Sequence, residues 1–257
     1  MFRCPKCNEK LEKVNRSFVC KNHHSYDLAK SGYVNLSLKQ KKQKGDNKLM
    51  VDARTQFLEK NYYDFMRQFV KNKIIENQVN VLVDAGCGQG YYTKEFAQYV
   101  NQSYAFDLSK EAVNYASKQD KKTQYFVASL FDMPFFQESI DCLTTIFTPI
   151  ALEEMHRVLR KNGLLIVVGP GENHLVDLKA QMYEKVRLND SPIELLEGFE
   201  MVSRDKIAKV ENVKDVWALL EMTPYRYNSP RAGLEKVQSL EELDVTFEFY
   251  VTVWRKI

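Results

Sequence analysis

The sequence predicts an α/β protein in which a doubly wound parallel sheet follows a small cysteine-rich N-terminal unit. Short apolar, β-branched segments alternate with helical segments between residues 79 and 170, a pattern typical of parallel βαβ units. A glycine-rich turn connects the first of these strands to its helix. Three cysteines and two histidines lie within the first 24 residues, which indicates a metal-binding unit.

Length and composition narrow the class of protein. The 257 residues suit one large domain and one small one. The chain has no run of about 18 apolar residues and no apolar segment near residue 1, so neither a transmembrane helix nor a signal peptide is expected. We therefore expect a cytoplasmic protein, whose five cysteines do not form a disulfide framework.

The charge is distributed unevenly along the chain. Residues 1–48 contain 12 Lys and Arg against 4 Asp and Glu, whereas the rest of the chain contains 25 against 30. A basic front end on a mildly acidic body indicates a polyanionic partner. The alternative is a solvated lysine-rich surface without a partner.

Three segments differ in composition. Residues 1–36 form the cysteine-rich unit, and residues 37–48 (SLKQKKQKGDNK) are polar and basic without hydrophobic periodicity. Such a stretch is typical of a linker or loop, and its lysines are candidate phosphate contacts. Residues 49–257 form the body.

The body begins with one or two helices over 49–75, with a break near Asn61, because apolar residues recur there at helical intervals. Ser109 is the expected N-cap of the helix over 110–118, and Gly163 the expected C-terminal end of the helix over 150–163. The remaining predicted helix before residue 170 covers 91–100, and the predicted strands cover 79–86, 103–109, 123–129, 139–147 and 164–170.

The C-terminal part gives weaker patterns. Residues 174–186 and 213–222 have helical periodicity, whereas residues 243–256 alternate apolar and polar side chains. The alternation predicts one long strand at the edge of the sheet.

The glycine-rich turn VLVDAGCGQGYYT (81–93) is the most informative motif of the body. It lacks the spacing of the dinucleotide fingerprint and of the P-loop. It does resemble the D-x-G-x-G-x-G pattern of the Rossmann-like class I S-adenosylmethionine (SAM) methyltransferases, which an acidic residue follows at the end of the next strand. The resemblance implies that Asp107 accepts hydrogen bonds from the ribose and that Asp84 lies near the methionine ammonium. The glycines that would bring the loop close to the cofactor are Gly86, Gly88 and Gly90.

Two later segments complete this resemblance. VASLFDMPF (127–135) resembles the segment beside the adenine, with Ser129 where many relatives carry an acidic residue. FTP (147–149) differs from the N-P-P-[FYW] of enzymes that methylate exocyclic amines. We expect Phe147 either to stack on a target base or to pack in the core. Cys87 and Cys142 are expected to be buried packing residues.

The N-terminal cysteines have the spacing of metal ligands. In Cys4-x2-Cys7-x12-Cys20-x3-His24, three thiolates and one imidazole complete a tetrahedral zinc shell. No position stays open, so the zinc would be structural and would help to fold a unit that is too small to be stable alone. The spacing does not decide between His23 and His24.

The two motifs together, with GPGENHL after the fifth strand, resemble the 23S ribosomal RNA (guanine-N1)-methyltransferases (RlmA-like), over nearly the whole chain. That family methylates a guanine in a hairpin loop of domain II. The resemblance implies a homodimer in which the zinc domain (1–36) holds RNA and the body (49–257) binds SAM. The implied zinc ligands are Cys4, Cys7, Cys20 and His24, and the implied cofactor contacts are Tyr63, Gly88, Gln89 and His174.

The sequence leaves several points open. Guanine N1 lies on the Watson–Crick edge, so the target must be unpaired or flipped out. The base that removes the N1 proton is not identified. Two alternative functions are a SAM-dependent methyltransferase of a small molecule and a non-catalytic RNA-binding adaptor. The basic front end disfavours the first, and the intact cofactor motif disfavours the second.

Overall fold

The structure is a computed structural model that describes residues 1–38 and 48–257, except for the side chain of Leu49. The predicted basic linker over 37–48 therefore lies mostly outside the described residues. Within the described part of the chain, none of the helices is both long and apolar enough to cross a membrane.

The cysteine-rich unit is a three-stranded antiparallel sheet. Its strands are β1 (Leu11–Val14), β2 (Ser17–Cys20) and β3 (Ser25–Asp27), in the order β1-β2-β3. Asn15 turns the chain between β1 and β2 with a left-handed φ of 54°, a conformation that asparagine tolerates well. The three buried side chains of this small sheet are Leu11, Phe18 and Cys20.

The body is built on an eight-stranded sheet with the order β10-β11-β9-β8-β5-β6-β7-β4, and its edge strand β4 comes from the predicted cysteine-rich unit over 1–36. The six neighbouring strands from β4 through β7, β6, β5 and β8 to β9 are all parallel. Strand β11 is antiparallel to both of its neighbours, β9 and β10. The strands are β4 (Val34–Asn35), β5 (Val81–Ala85), β6 (Gln102–Asp107), β7 (Thr123–Val127), β8 (Ile140–Ile146), β9 (Leu159–Pro170), β10 (Phe199–Val213) and β11 (Leu243–Lys256).

Nine α-helices lie in the described part of the chain. Asn61, with φ of 64°, marks the predicted break between α1 and α2. Ser109 caps α4 as predicted, because its Oγ accepts a hydrogen bond from the Ala112 amide at 3.2 Å. The helices are α1 (Lys48–Leu58), α2 (Asp64–Glu76), α3 (Tyr91–Phe96), α4 (Lys110–Gln119), α5 (Leu152–Val158), α6 (Val176–Met182), α7 (Val216–Glu221), α8 (Tyr225–Asn228) and α9 (Arg231–Gln238).

The expected ligand site lies at the carboxyl end of the central strand β5. All five of its residues are buried, and its parallel neighbours β6 and β8 lie on opposite sides of it. The connections from these strands therefore diverge at their carboxyl ends and open a crevice there. In open α/β sheets, ligands bind in such a crevice.

Two predictions about the elements were wrong. The helix predicted over 150–163 ends at Val158, and β9 begins at Leu159. A side chain at Gly163 would lie 2.8 Å from the Arg160 carbonyl and 3.2 Å from that of Asp141. Glycine is therefore needed there for the close approach of two strands, and it does not end a helix.

The strand over 243–256 is not at the edge of the sheet. The outermost strand is β10, which pairs with β11 along its whole length. The sequence did not predict β10, because six of its fifteen side chains are charged and only its terminal residues are buried. Charged side chains are common on edge strands, where they oppose pairing with other chains.

The cysteine-rich unit is attached to the body by more than its covalent connection. Phe2 forms a bridge with Phe135 and packs edge-on against Phe18 and Tyr104, with ring centroids 5.6 and 5.0 Å apart. Arg3 donates hydrogen bonds to the Met133 carbonyl at 3.1 Å and the Asp132 carboxylate at 2.7 Å. The first residues of the chain thus contact the loop that follows β7, an attachment that the sequence did not predict.

Candidate functional site

A large cavity opens at the carboxyl ends of β5, β6, β8 and β9. Its volume is about 1370 Å³, which exceeds that of a typical small-molecule site. One part is lined by the glycine-rich loop and by Asp107, and the other by the segment between α6 and β10 and by α8. The size of the cavity leaves room for a cofactor and for a second group beside it.

The glycine-rich loop has a left-handed backbone at each of its three glycines. Gly86, Gly88 and Gly90 have φ of 78°, 52° and 81°, a region that favours glycine. A side chain at Gly86 would collide with the Thr148 methyl group, whereas one at Gly88 would face the Arg54 guanidinium at 3.9 Å. The close approach of loop and β8 therefore depends on glycine at position 86.

Gly90 has a different environment from the other two glycines. It is not among the residues that line the cavity. A side chain there would lie 2.9 Å from Ala116 Cβ and 3.0 Å from the Tyr125 hydroxyl. Its position shows that Gly90 allows the start of α3 to pack against α4 and β7.

Asp107 lies at the end of β6, on the wall of the cavity. One carboxylate oxygen accepts a hydrogen bond from the Gly88 amide at 3.0 Å, and the other accepts one from the Ser109 amide at 2.8 Å. These two amides fix the carboxylate beside the glycine-rich loop. An acidic side chain in this position binds ribose hydroxyls in related folds.

Asp84 is buried beneath the loop. Its carboxylate accepts hydrogen bonds from the Thr144 hydroxyl at 2.8 Å and the Thr93 hydroxyl at 2.5 Å. Burial nevertheless raises the pKa of Asp84 to about 6, because two hydroxyls replace only part of the lost hydration. A cation bound nearby would favour the ionised carboxylate.

We expect the Asp84→Asn variant to be more stable than the wild type at neutral pH but to bind SAM more weakly. The folded state binds the Asp84 proton more tightly than the unfolded chain does. The wild type therefore loses stability as the pH rises from about 4 to about 6, by about 3 kcal/mol for two pKa units. The asparagine side chain of the variant does not titrate, so the difference in unfolding free energy between the two proteins should grow over this pH window. Urea unfolding at several pH values and calorimetric titration with SAM measure the two effects.

Tyr63 and His174 lie together on the wall of the cavity. The His174 Nδ1 accepts a hydrogen bond from the Glu248 amide at 3.3 Å, and its Nε2 lies 3.4 Å from the Tyr63 hydroxyl. Burial, aided by the nearby Lys179 charge, lowers the pKa of His174 to about 3. The neutral ring therefore carries its proton on Nε2 and donates it to the Tyr63 oxygen. This arrangement directs the phenol proton of Tyr63 to another acceptor.

Gln89 and Arg54 complete the polar lining of the loop region. Gln89 is 6% exposed, and its Nε2 has no hydrogen-bond partner among the described residues. A buried amide without an acceptor is destabilising, so this donor fits a ligand. Arg54 on α1 lines the same cavity and was not predicted from the sequence.

The residues present fit SAM. The cofactor carries a sulfonium and an ammonium, a carboxylate and a ribose diol. The cavity offers two carboxylates to the cations and the diol, the Arg54 guanidinium to the carboxylate, and the unpaired Gln89 amide as a further donor. Each charged group of SAM would therefore face a side chain of the opposite charge.

Phe147 directly follows β8, at the mouth of the cavity. Its φ of 56° is left-handed, which is strained for an aromatic residue and common at functional sites. The ring is 43% exposed and stacks on His174, with centroids 6.0 Å apart and planes 27° apart. Phe147 is therefore not a core residue, and its exposed face is open to a planar ligand.

Ser129 does not line the cavity. Its hydroxyl accepts a hydrogen bond from the Phe131 amide at 3.2 Å within a tight turn. Its neighbours Ala128, Leu130 and Phe131 line the cavity instead. Apolar contacts from this segment, rather than the Ser129 side chain, would border an adenine.

The predicted metal ligands come together at one point. The ligand atoms of Cys4, Cys7, Cys20 and His24 lie within 4.8 Å of one another. Cys7 Sγ is 3.7 Å from Cys20 Sγ, and His24 Nδ1 is 3.5 Å from the sulfur atoms of Cys4 and Cys20. Ideal tetrahedral zinc places two sulfurs about 3.8 Å apart and a sulfur and a nitrogen about 3.5 Å apart. The four side chains fit a zinc ion, and His23 is not in the group.

The hydroxyl of Tyr26 supports this zinc site from outside the ligand set. It lies 3.3 Å from Cys4 Sγ. Burial of the Cys4 thiol opposes ionisation, but the Tyr26 hydroxyl and backbone amides hydrogen-bond to the sulfur and lower the pKa of Cys4 to about 6. A hydrogen bond of this kind stabilises a thiolate ligand.

The two other cysteines are packing residues, as predicted. Cys87 and Cys142 are buried. Burial raises the pKa of both thiols, so neither is a reactive thiolate.

Comparisons with known proteins agree with this geometry. Residues 2–44 match the family described as "RlmA, N-terminal", a zinc ribbon, and residues 83–167 match the family described as "Methyltransferase domain". The chain is 26% identical over its whole length to "Putative 23S rRNA (guanine-N(1)-)-methyltransferase YxjB" of Bacillus subtilis, covering 97% of that protein. It is 29% identical to "23S rRNA (guanine(748)-N(1))-methyltransferase" of Streptomyces fradiae, over 69% of this chain and 66% of that one.

A solved structure supports the fold of the body. The YcgJ protein of Bacillus subtilis superposes with a TM-score of 0.52 at 17% identity, over 75% of this chain and 98% of that one. The cavity and the fold agree with the match to the methyltransferase family, and the zinc cluster agrees with the match to the zinc ribbon family. The chain is a SAM-dependent methyltransferase with an N-terminal zinc ribbon, and it is similar to proteins named as 23S rRNA (guanine-N1)-methyltransferases.

Proposed function

We propose that this protein methylates N1 of a guanine in the domain II hairpin loop of 23S rRNA. The observation that carries the proposal is the exposed, strained Phe147 at the mouth of a cofactor cavity, in a chain that also carries an RlmA-type zinc ribbon. An aromatic ring beside a methyl donor suits a flipped-out base. Two of the curated relatives are named as 23S rRNA (guanine-N1)-methyltransferases, one of them as putative.

The cofactor supplies a methyl group that its sulfonium already activates, so the protein must mainly hold the reacting groups in line. Asp107 accepts hydrogen bonds from the ribose, and Asp84 offsets the positive charge of the methionine part. Gly86, Gly88 and Gln89 shape the loop around the cofactor, while Tyr63 donates its phenol proton and His174 orients it. Phe147 stacks on the target base.

The zinc ribbon would bring the RNA to this cavity. Its surface cations include Lys10 and Lys21, which form ion pairs with exposed glutamates and are weakly held there. Phosphate contacts by such residues would make binding depend on salt. We propose that the chain consists of a zinc-binding unit over 1–36, a linker over 37–48 and a catalytic body over 49–257. We also propose that the protein is a homodimer and that it acts in the cytoplasm.

Primer extension on 23S rRNA from a strain that lacks the gene tests the proposal. A methyl group on N1 blocks base pairing and stops reverse transcription. We expect a stop in domain II that disappears with the gene and returns when the wild-type gene is supplied. The Phe147→Ala gene should restore the stop weakly. A domain II stop that persists without the gene would disprove the RNA assignment.

A further inference from the structure

Lys179 on α6 is a buried cation in the wall of the cavity. It is 5% exposed, and no carboxylate lies within ion-pair distance of it among residues 1–38 and 48–257. Its Nζ donates to the Asn189 side-chain oxygen at 2.7 Å and the Arg187 carbonyl at 3.2 Å. A buried ammonium with two neutral acceptors is incompletely compensated, and one of its three N–H groups remains for a ligand.

Hydrogen bonds and ring contacts connect Lys179 to the predicted base site. The Asn189 side-chain amide, whose oxygen accepts from Lys179, donates to the His174 carbonyl at 3.0 Å. The His174 ring in turn stacks on Phe147. Burial and, to a smaller extent, the Lys179 charge lower the pKa of His174. Lys179 and Phe147 therefore line one cavity and are connected through Asn189 and His174.

Guanine N1 methylation creates a need for such a cation. The N1–H bond is replaced by an N1–CH₃ bond, the N1 proton leaves to solvent, and the C–S electron pair remains on sulfur. Loss of the N1 proton shifts negative charge onto O6, the neighbouring oxygen. A fixed N–H donor aimed at an oxygen that gains charge stabilises the transition state strongly, because it is already oriented.

We propose, on the basis of the function proposed above, that Lys179 donates a hydrogen bond to O6 of the target guanine. The lysine would thereby assist removal of the N1 proton without accepting it. Arg54 lies beside Gly88 in the loop region and is the better placed partner for the cofactor carboxylate. The two cations would thus serve different ligands in one cavity.

Burial lowers the pKa of Lys179, and its neighbours Tyr225 and His174 are both uncharged at neutral pH. The Tyr225 ring lies 5.4 Å from the ammonium, and burial raises the pKa of Tyr225. His174 is neutral, and the Tyr183 hydroxyl is bonded to Ser229 at 2.6 Å. A pH effect that changes with Lys179 therefore reports the lysine or the guanine itself.

The pH profile of the Lys179→Met enzyme tests this inference. The assay is single-turnover methylation of a domain II hairpin RNA at saturating SAM. We expect a loss of about 100-fold at neutral pH, with much of the rate regained at alkaline pH, where guanine N1 ionises without help. The affinity for SAM, measured by calorimetry, should be unchanged. Lys236→Met, the same change on exposed α9, should behave like the wild type.

The possible outcomes separate this inference from the proposed function. A wild-type enzyme that leaves the hairpin and intact 23S rRNA unmethylated would overturn both. A wild type that methylates N1, with a Lys179→Met enzyme reduced equally at every pH, would overturn the role of Lys179 alone. Weaker SAM binding by this variant, with a normal rate at saturating SAM, would make Lys179 a cofactor contact and would also overturn it.

Discussion

Gly86→Ala is expected to weaken SAM binding by at least about 30-fold, or about 2 kcal/mol. Two costs combine at this position. The left-handed φ of 78° strains any other residue, and the new methyl group would collide with that of Thr148. Thr148 follows Phe147, so relief of the collision would move the mouth of the cavity. Calorimetric titration with SAM measures the loss.

Two variants control this experiment. Gly32→Ala also places alanine at a left-handed φ, but the new methyl group meets no atom within 4 Å, so it should lower stability and leave SAM binding intact. Gly86→Ala combined with Thr148→Ser removes the colliding methyl group and should recover part of the affinity. Unchanged SAM affinity in Gly86→Ala would show that the loop does not need its close contact with Thr148.

Cys20→Ser is expected to remove the zinc and unfold the N-terminal sheet. A structural zinc stabilises small units by about 10 kcal/mol or more, which is as large as the stability of a whole domain. Methylation of 23S rRNA should fall by at least about tenfold. SAM affinity should fall less, through the loss of the Arg3 contacts with the loop after β7. Metal analysis, proteolysis within residues 1–35 and calorimetry measure these effects.

His23→Asn is the matched control for the zinc site. His23 is exposed, has a left-handed φ of 59° that asparagine tolerates, and is not in the ligand cluster. The variant should keep one zinc per chain, whereas His24→Asn should lose it. Zinc loss in His23→Asn with retention in His24→Asn would reverse the ligand assignment.

The sequence predicted those parts of the site whose residues are close together in the chain. Asp84 and the glycines belong to one strand–turn–helix unit, and the zinc knuckles occupy 21 residues. Local spacing is sufficient to predict these residues, because zinc coordination and cofactor binding restrict both the residue types and their separation in the chain. His24 could be chosen over His23 only through family resemblance, and the positions of the ligand atoms now agree with that choice.

The residues that sequence reasoning missed depend on packing between distant segments. Lys179 is an ordinary helical lysine in the sequence, and only the irregular segment around Asn189 covers and orients it. Arg54 reaches the loop from α1, where its guanidinium would lie 3.9 Å from a Cβ at Gly88. The strand β10 lacks apolar alternation, since charged side chains protect the edge of the sheet. None of these features has a local signal.

We propose transfer of the SAM methyl group to guanine N1 of 23S rRNA, and one measurement tests this claim directly. Purified protein is incubated with methyl-labelled SAM and unmodified 23S rRNA, and the RNA is digested to nucleosides for mass spectrometry. We expect the label in 1-methylguanosine, at one domain II guanine, with little label from Asp107→Ala protein. Label in another nucleoside, or none in RNA from an active, zinc-loaded preparation, would contradict the claim.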